Sequence, residues 1–410
     1  MTPFIKQLDR YAELAVRVGV NVQPGQTLVV TAPLTSVDFV RMVARKAYEA
    51  GAKNVHFEWN DDELTRIKYD MAPNEAFKEF PAWRAKGFEE MAENGAAFLS
   101  IIASNPDLLK GVDPERISNA NKASGQAMQG FRSYAMADKI SWSVIAVPSP
   151  AWAAKVFPDL DETKAVEALW EAIFKATRTD LDDPVGAWKD HTSTLDDKAK
   201  FLNDKRYRYL HYEAPGTKLS IELPAKHLWV SGGSVNEKGT TFVANMPTEE
   251  VFTTPLRGGV NGVVSSTKPL NYGGNLIENF SLTFENGKIV DYTAESGYET
   301  LKRLVETDEG SQYLGEVALV PHQSPISNTN LIFFNTLFDE NASCHLAIGN
   351  AYAFCLEGGK SMSKDELAEN GLNASITHVD FMIGSAELNI DGETADGKRE
   401  ALFRKGNWAI

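Results

Sequence analysis

The stretch that decides the fold of the first half is residues 27–59, TLVVTAPLTSVDFVRMVARKAYEAGAKNVHFEW. It opens with the apolar run TLVVT, which predicts a buried strand, and closes with NVHFEW, which predicts a second strand. Between them, residues 36–50 place apolar side chains at helical spacing, and Gly51 follows as a helix stop. This strand–helix–strand order predicts two parallel strands joined by a helix.

The same rhythm continues through most of the first half. Residues 97–103 (AFLSIIA) and 140–147 (ISWSVIAV) predict two further buried strands, and residues 161–179 predict an amphipathic helix. We therefore predict an N-terminal α/β domain, residues 1–210, with a mainly parallel sheet and helices on its faces.

The pattern changes after about residue 210. Residues 218–223 (KLSIEL) alternate, and residues 281–294 form two alternating arms around Asn286-Gly287, a pair that suits a two-residue type I′ turn. Glycine-rich connections such as Gly273-Gly274 join many short strand-like runs. We predict an α+β domain, residues 211–410, that is mostly antiparallel and β-rich with a few helices.

The composition is that of an acidic globular protein. The 41 Lys and Arg residues against 56 Asp and Glu give a net charge of −15, which argues against nucleic acid and anionic membrane surfaces as partners. Two cysteines are too few for a disulfide framework, and the N-terminal residues carry charges where a signal peptide needs an apolar run. Since no segment approaches the ~18 apolar residues of a membrane span, we expect a cytoplasmic protein.

Residues with catalytic potential concentrate in the second half, and one strand-like run shows this most clearly. His378 and Asp380 lie two residues apart in residues 376–383 (ITHVDFMI), so a strand would project both side chains from one face. Burying them unpaired would be costly. Metal ligation and a neutral histidine–aspartate hydrogen bond both remove that cost, and the spacing alone leaves both open.

A second segment, residues 338–352 (FDENASCHLAIGNAY), holds Asp339, Glu340, His345 and Tyr352 in a predicted loop followed by an apolar run. Borderline divalent cations take imidazole nitrogen and carboxylate oxygen as ligands. A surface acidic turn followed by a core segment explains the same pattern, so this segment alone does not establish a metal site.

Two more segments carry glutamates. Residues 245–255 (NMPTEEVFTTP) hold Glu249 and Glu250, and extended backbone would turn them in opposite directions, so at most one enters a site. In residues 315–321 (GEVALVP), Glu316 heads an apolar strand-like run and is either an exposed strand end or a buried ligand.

Taken together, these four segments resemble the thermophilic aminopeptidase family of metallopeptidases, of the aminopeptidase T and aminopeptidase S type. The opening LDRYAELAVRVGVNVQPGQTLVV and the closing FRKGNWAI are similar to that family too, so the resemblance covers essentially the whole chain. It implies a homodimeric, metal-dependent aminopeptidase acting on short or unfolded peptides with a free N-terminus. It also implies that the C-terminal domain carries the metal site.

The resemblance further implies a site for two divalent metal ions, whether zinc, cobalt or manganese. The implied ligands are Glu250, Glu316, Glu340, His345, His378 and Asp380. Glu316 and Asp380 are the candidates to touch both ions, and Glu249 is expected to face outward. A water activated by the two metals would be the nucleophile, with Glu316 as the proton acceptor and Tyr352 as a hydrogen-bond donor to the oxyanion.

Two alternatives stay open at this point. A dinuclear metal phosphoesterase or amidohydrolase could use the same ligand types, although such sites commonly begin with a dense Asp/His motif and the candidate ligands here begin at Glu250. A two-lobed ligand-binding protein is the non-enzyme alternative, although such proteins are usually exported. The preference for the first substrate side chain and the identity of the metal cannot be read from the sequence.

Overall fold

The computed structural model describes residues 2–103, 105–272 and 275–410, so the predicted connection at Gly273-Gly274 lies outside the described residues. The backbone divides into two units. The first consists of the chain up to Asp190 together with Gly233–Pro247, and the second consists of His191–Gly232 and Thr248–Ile410. The predicted division of the chain into domains of residues 1–210 and 211–410 stays a prediction.

Helices and strands are mixed in the first half of the chain, whereas strands predominate in the second. In chain order the strands are β1 (Thr27–Pro33), β2 (Asn54–Asn60), β3 (Ala97–Ile102), β4 (Trp142–Ala146), β5 (Tyr209–Ala214), β6 (Thr217–Glu222), β7 (Val230–Ser231), β8 (Gly233–Val235), β9 (Thr241–Val243), β10 (Asn245–Met246), β11 (Val251–Thr253), β12 (Val260–Ser265), β13 (Leu270–Tyr272), β14 (Asn275–Ile277), β15 (Ser281–Glu285), β16 (Lys288–Thr293), β17 (Leu314–Leu319), β18 (His345–Gly349), β19 (His378–Met382), β20 (Asn389–Glu393), β21 (Arg399–Arg404) and β22 (Asn407–Trp408). The helices are α1 (Pro3–Leu14), α2 (Val37–Glu49), α3 (Asp62–Met71), α4 (Ala82–Glu93), α5 (Pro114–Ala127), α6 (Gln129–Met136), α7 (Pro150–Val156), α8 (Glu162–Ala176), α9 (Pro184–Lys205), α10 (Tyr298–Val305), α11 (Thr336–Asp339) and α12 (Lys364–Glu369). Within the described residues, none of these helices combines the length and the apolar character that crossing a membrane requires.

The first unit is built around a parallel sheet with the strand order β10-β4-β3-β1-β2. Its inner strand β1 is buried along most of its length, as expected for a strand covered on both faces. The helix predicted over residues 36–50 is α2, which buries Phe39, Val40, Val43 and Ala47. The prediction of a mainly parallel sheet is confirmed, but the edge strand β10 comes from beyond residue 210 and was not predicted.

The second unit contains two large antiparallel sheets and the two-stranded antiparallel sheet β13-β14. Of the two large sheets, one has eight strands in the order β16-β15-β12-β6-β5-β20-β21-β22, and the other has five in the order β19-β18-β17-β11-β7. The predicted hairpin joins β15 to β16, and both turn residues, Asn286 (φ 50°) and Gly287 (φ 82°), have the positive φ of a type I′ turn. The mostly antiparallel architecture predicted for this part of the chain is therefore confirmed.

The five-stranded sheet has two chemically different faces, because neighbouring residues on a strand point to opposite sides. One face is apolar and belongs to the hydrophobic core of the unit; its residues include Val251, Val317, Leu319, Leu346, Ile348 and Phe381. The opposite face carries mostly small, aromatic and ionisable residues; these include Phe252, Glu316, Ala318, His345, Ala347, Gly349, His378 and Asp380, beside the apolar Val230 and Met382. The candidate site lies on this second face.

Candidate metal centre

The register of strands β17, β18 and β19 brings four of the candidate ligands to one side of the five-stranded sheet. Glu316 lies opposite Ala347, which lies opposite Asp380 on the next strand. His345 is two residues from Ala347, and His378 is two residues from Asp380. Since directly opposite residues share a face and residues two apart point the same way, all four side chains project together.

Small residues fill the remaining inner positions of this face. Ala318 and Ala347 present only methyl groups between the ligands, and Gly349 presents no side chain. Gly349 has a φ of +110°, and a Cβ there would lie 2.2 Å from the carbonyl oxygen of Thr377. The strands therefore leave open space above the sheet for the ligand side chains.

Glu250 and Glu340 come from segments beside the sheet. Glu250 directly precedes β11, and Glu340 directly follows α11 in a short helical turn, where a loop was predicted. The fully buried Asn341 ties the two segments together, because its Oδ1 accepts the backbone N–H of Glu249 at 2.8 Å and its Nδ2 lies 3.4 Å from Oε1 of Glu340. Apart from its place next to Glu340, nothing in the sequence pattern indicates a role for Asn341.

Two histidines join the carboxylates into one largely buried group. Nε2 of His345 lies 3.2 Å from Oε2 of Glu250 and 3.6 Å from Oε1 of Glu316. Nε2 of His378 lies 3.4 Å from Oε2 of Glu316 and 3.5 Å from Oδ1 of Asp380. These five residues form two sets of three, Glu250–Glu316–His345 and Glu316–His378–Asp380, and within each set the ligand atoms lie within 4.8 Å of one another. Glu316 belongs to both sets.

The donor set fits divalent cations. Nδ1 of His345 lies 3.1 Å from the carbonyl oxygen of Ser343, and Nδ1 of His378 lies 2.7 Å from that of Asn350. A carbonyl oxygen only accepts, so Nδ1 is the donor and Nε2 is directed at the carboxylates, as in metal-binding histidines. Oδ1 of Asp380 is buried, and its 3.5 Å contact with Nε2 of His378 does not have the geometry of a hydrogen bond, so within the described residues this oxygen has no hydrogen-bond partner and is available to a cation.

The protons of the cluster are distributed unequally. Burial raises the pKa of Glu250 and Glu340, and repulsion from neighbouring carboxylates adds to the effect. Burial alone would also raise the pKa of Glu316, but hydrogen bonds from His345 and His378 outweigh it and lower that pKa to about 2. Bound divalent cations would replace the imidazole protons as the positive charges beside the carboxylates, since metal ligands must be deprotonated.

Tyr352 contacts this group through its aromatic ring, whose centroid lies 4.8 Å from that of His378. Burial, followed by the charges of the nearby carboxylates, raises the pKa of its phenol well above the ordinary value. Tyr352 therefore keeps its proton at neutral pH, and its O–H is available as a hydrogen-bond donor.

Glu249 does not face solvent, so the expectation that it faces outward is wrong. Its side chain is only 5% exposed, and its Oε2 lies 3.5 Å from Nε2 of His191. The expectation assumed that the other side of this extended segment is open to water. Instead, His191 of α9 lies there and is itself within 2.8 Å of the carbonyl oxygen of Thr248.

Comparison with known proteins assigns the chain to a family. The model of the family described as thermophilic metalloprotease (M29) matches residues 4–408. The chain belongs to this family. Aminopeptidase AmpS of Bacillus subtilis is 62% identical over 410 residues, which cover all of both chains. Aminopeptidase T of Thermus thermophilus is 44% identical over 410 residues, again covering all of both chains.

A solved structure gives the same result at the level of the fold. The structure described as wild-type AmpT from Thermus thermophilus is similar to this M29 metalloprotease with a TM-score of 0.94 and 43% sequence identity, over 99% of this chain and all of that one. The mixed α/β architecture is thereby confirmed. The prediction of a metal-dependent aminopeptidase, a peptide hydrolase, is confirmed by the family assignment and by the relatives that carry that name.

Proposed function

We propose that two divalent metal ions bind on the ligand-bearing face of the five-stranded sheet and that the site removes the N-terminal residue from peptides. The observation that carries this proposal is the pair of three-residue sets that share Glu316. We assign six ligands, referred to below as the ligand cluster: Glu250, Glu316, Glu340, His345, His378 and Asp380. Its four carboxylates carry a charge of −4 when ionised, which two divalent cations would neutralise.

Bound divalent ions polarise a scissile carbonyl and make water a nucleophile near neutral pH. Within the chain, we assign proton transfer to Glu316. Glu316 is ionised when it holds a cation, since metal ligands must be deprotonated, and a carboxylate is the form that accepts a proton from the attacking water and then delivers it to the leaving amine. Tyr352 donates its phenolic proton in a hydrogen bond to the oxyanion that develops on the substrate carbonyl.

The substrates, the metal and the assembly are proposed on the family resemblance. Peptides with a free N-terminus are the proposed substrates, and zinc, cobalt or manganese are the proposed ions, because imidazole and carboxylate do not select among them. We propose a homodimer in the cytoplasm, with residues 211–410 as the catalytic domain because all six assigned ligands lie within them. The net charge of −15 supports the absence of nucleic acid and anionic membranes as partners.

Hydrolysis assays on protein of known metal content test the proposed reaction. Protein loaded with Co²⁺, Zn²⁺ or Mn²⁺ should release the aniline from leucine p-nitroanilide, lose this activity with a chelator and regain it when metal is restored. The N-acetylated anilide should not be cleaved, because it has no free amine. Metal-loaded protein that hydrolyses p-nitrophenyl phosphate but neither anilide would overturn the proposal in favour of a phosphoesterase.

A further inference from the structure

Three aromatic side chains, referred to below as the aromatic wall, lie beside the ligand cluster: those of Phe252, Tyr352 and Phe354. The rings of Tyr352 and Phe354 are stacked, with centroids 5.1 Å apart and planes 16° apart. The ring of Phe252 meets both at steep angles, with centroid distances of 6.2 Å and 6.1 Å. Because Tyr352 also contacts the ring of His378 at 4.8 Å, the wall adjoins the ligand cluster.

The strand register explains why Phe252 lies on this side. Phe252 pairs with Ala318 of β17, and Ala318 is two residues from Glu316, so the phenylalanine and the ligand share a face. Its neighbours Val251 and Thr253 are fully buried on the other side. Phe252 is only partly buried and is not a member of the hydrophobic core that contains Val251.

The other two rings of the wall are also partly exposed. Pockets for small molecules are mostly apolar surfaces with a few polar groups that fix the orientation of the ligand. The aromatic wall with the adjoining ligand cluster has this composition. An apolar group of the substrate placed on the rings would gain free energy from the removal of apolar surface from water.

The chemistry of an aminopeptidase indicates which substrate group this is. The free amine and the scissile carbonyl both belong to the N-terminal residue, so that residue must be held at the ligand cluster. The side chain of this residue is attached to the Cα between these two groups. It therefore lies next to the ligand cluster, within reach of the aromatic wall that contacts His378. The three rings offer apolar surface and no carboxylate or ammonium partner for a charged side chain.

We propose that the aromatic wall is the binding surface for the side chain of the substrate's N-terminal residue and that it selects large apolar residues such as leucine and phenylalanine. This inference rests on the proposed aminopeptidase function and adds the substrate class to it.

The test measures kcat/KM of the metal-loaded, full-length protein for the p-nitroanilides of alanine, leucine, phenylalanine, lysine and glutamate. We expect the wild-type protein to favour leucine and phenylalanine over alanine by about tenfold or more, and over lysine and glutamate as well. Phe354→Ala and Phe252→Leu should reduce the leucine-to-alanine ratio, by about tenfold for Phe354→Ala. Phe201→Ala is the matched control, because Phe201 is a partly buried phenylalanine of α9 that packs on the core, and it should keep the wild-type ratio.

Three results would overturn the inference. The first is a wild-type preference for lysine or glutamate over leucine, which needs no variant and holds even if a variant fails to fold. The second is an unchanged leucine-to-alanine ratio in folded Phe354→Ala and Phe252→Leu. The third is an equal fall in kcat/KM for every anilide in Phe354→Ala, which would mean that Phe354 only holds Tyr352 in place. A metal-loaded wild-type protein that cleaves none of the anilides would instead contradict the proposed function itself.

Discussion

The two large antiparallel sheets of the second unit both carry histidine–carboxylate pairs, but they balance the negative charge in different ways. On the eight-stranded sheet, Nε2 of His211 lies 2.9 Å from Glu393, and Arg399 donates to the same carboxylate at 2.8 Å. On the five-stranded sheet, the ion-pair partners of the ligand cluster's carboxylates, among the described residues, are histidines. In the described part of the chain, carboxylates of the eight-stranded sheet thus pair with arginine and lysine as well as histidine, whereas those of the ligand cluster pair with histidine alone.

The difference supports the proposed position of the metal ions. Partly exposed pairs on the eight-stranded sheet are screened by water and contribute little to stability. The ligand cluster is buried, and buried charges are costly unless they are paired. Among the described residues, no arginine or lysine forms an ion pair with its carboxylates, so bound metal ions would complete the charge balance there.

The largest effect is expected from Glu316, which is compared with a glutamate of the eight-stranded sheet. Glu316→Gln should lower kcat about 10³-fold, within the range that a lost proton acceptor causes, and should reduce the metal content because Glu316 belongs to both ligand sets. Glu393→Gln, the control on the eight-stranded sheet, should change neither quantity. Equal losses of kcat and metal content in both variants would contradict the proposed difference between the two sheets.

The next comparison uses one histidine from each sheet. His378→Ala removes a ligand and should lower the metal bound per chain, as measured by elemental analysis after gel filtration, and kcat/KM should fall with it. His211→Ala removes a partner of Glu393 and should bind as much metal as the wild type. If His378→Ala retained the full metal content, its assignment as a ligand would be wrong.

A smaller effect is expected from the tyrosine beside the ligand cluster. Tyr352→Phe keeps the ring that contacts His378 but removes the hydroxyl, so metal content should stay unchanged while kcat falls about 10²-fold. Steady-state kinetics together with elemental analysis distinguish this result from loss of a ligand. An unchanged kcat would remove Tyr352 from the mechanism.

The smallest effect concerns the acid stability of the eight-stranded sheet. Hydrogen bonds from Lys205, Lys398 and Tyr207 lower the pKa of Glu400 to about 2. A lowered pKa stabilises the folded state above the ordinary value of 4.5, and this contribution is lost as the pH falls towards 2. Glu400→Gln should therefore be slightly less stable than the wild type at pH 7, and the difference in Tm should shrink on acidification. A difference that grows at low pH would contradict this assignment, and kcat should not change.

Parts of the fold and site with local signals were predictable from the sequence. The inner strands of the parallel sheet have continuous apolar runs, and the β15–β16 hairpin has the Asn286-Gly287 turn. His378 and Asp380 are two residues apart on a strand, and the structure places them in one candidate ligand set, because alternation along a strand needs no knowledge of distant residues.

Features that depend on distant segments were not predictable. Strand β10 has two residues, too few for any periodicity, and joins the parallel sheet by pairing with β4. Glu249 was expected to face outward because the sequence does not show that His191, 58 positions earlier, lies against it. The contact between Asn341 and the segment before β11 likewise depends on tertiary structure.

The central claim, that two metal ions share Glu316, is tested most directly by anomalous diffraction from crystals grown with Co²⁺ or Mn²⁺. We expect two anomalous peaks in each chain, one beside Glu250 and His345 and the other beside His378 and Asp380, with the Glu316 carboxylate between them. A single peak, or two peaks away from these side chains, would contradict the account.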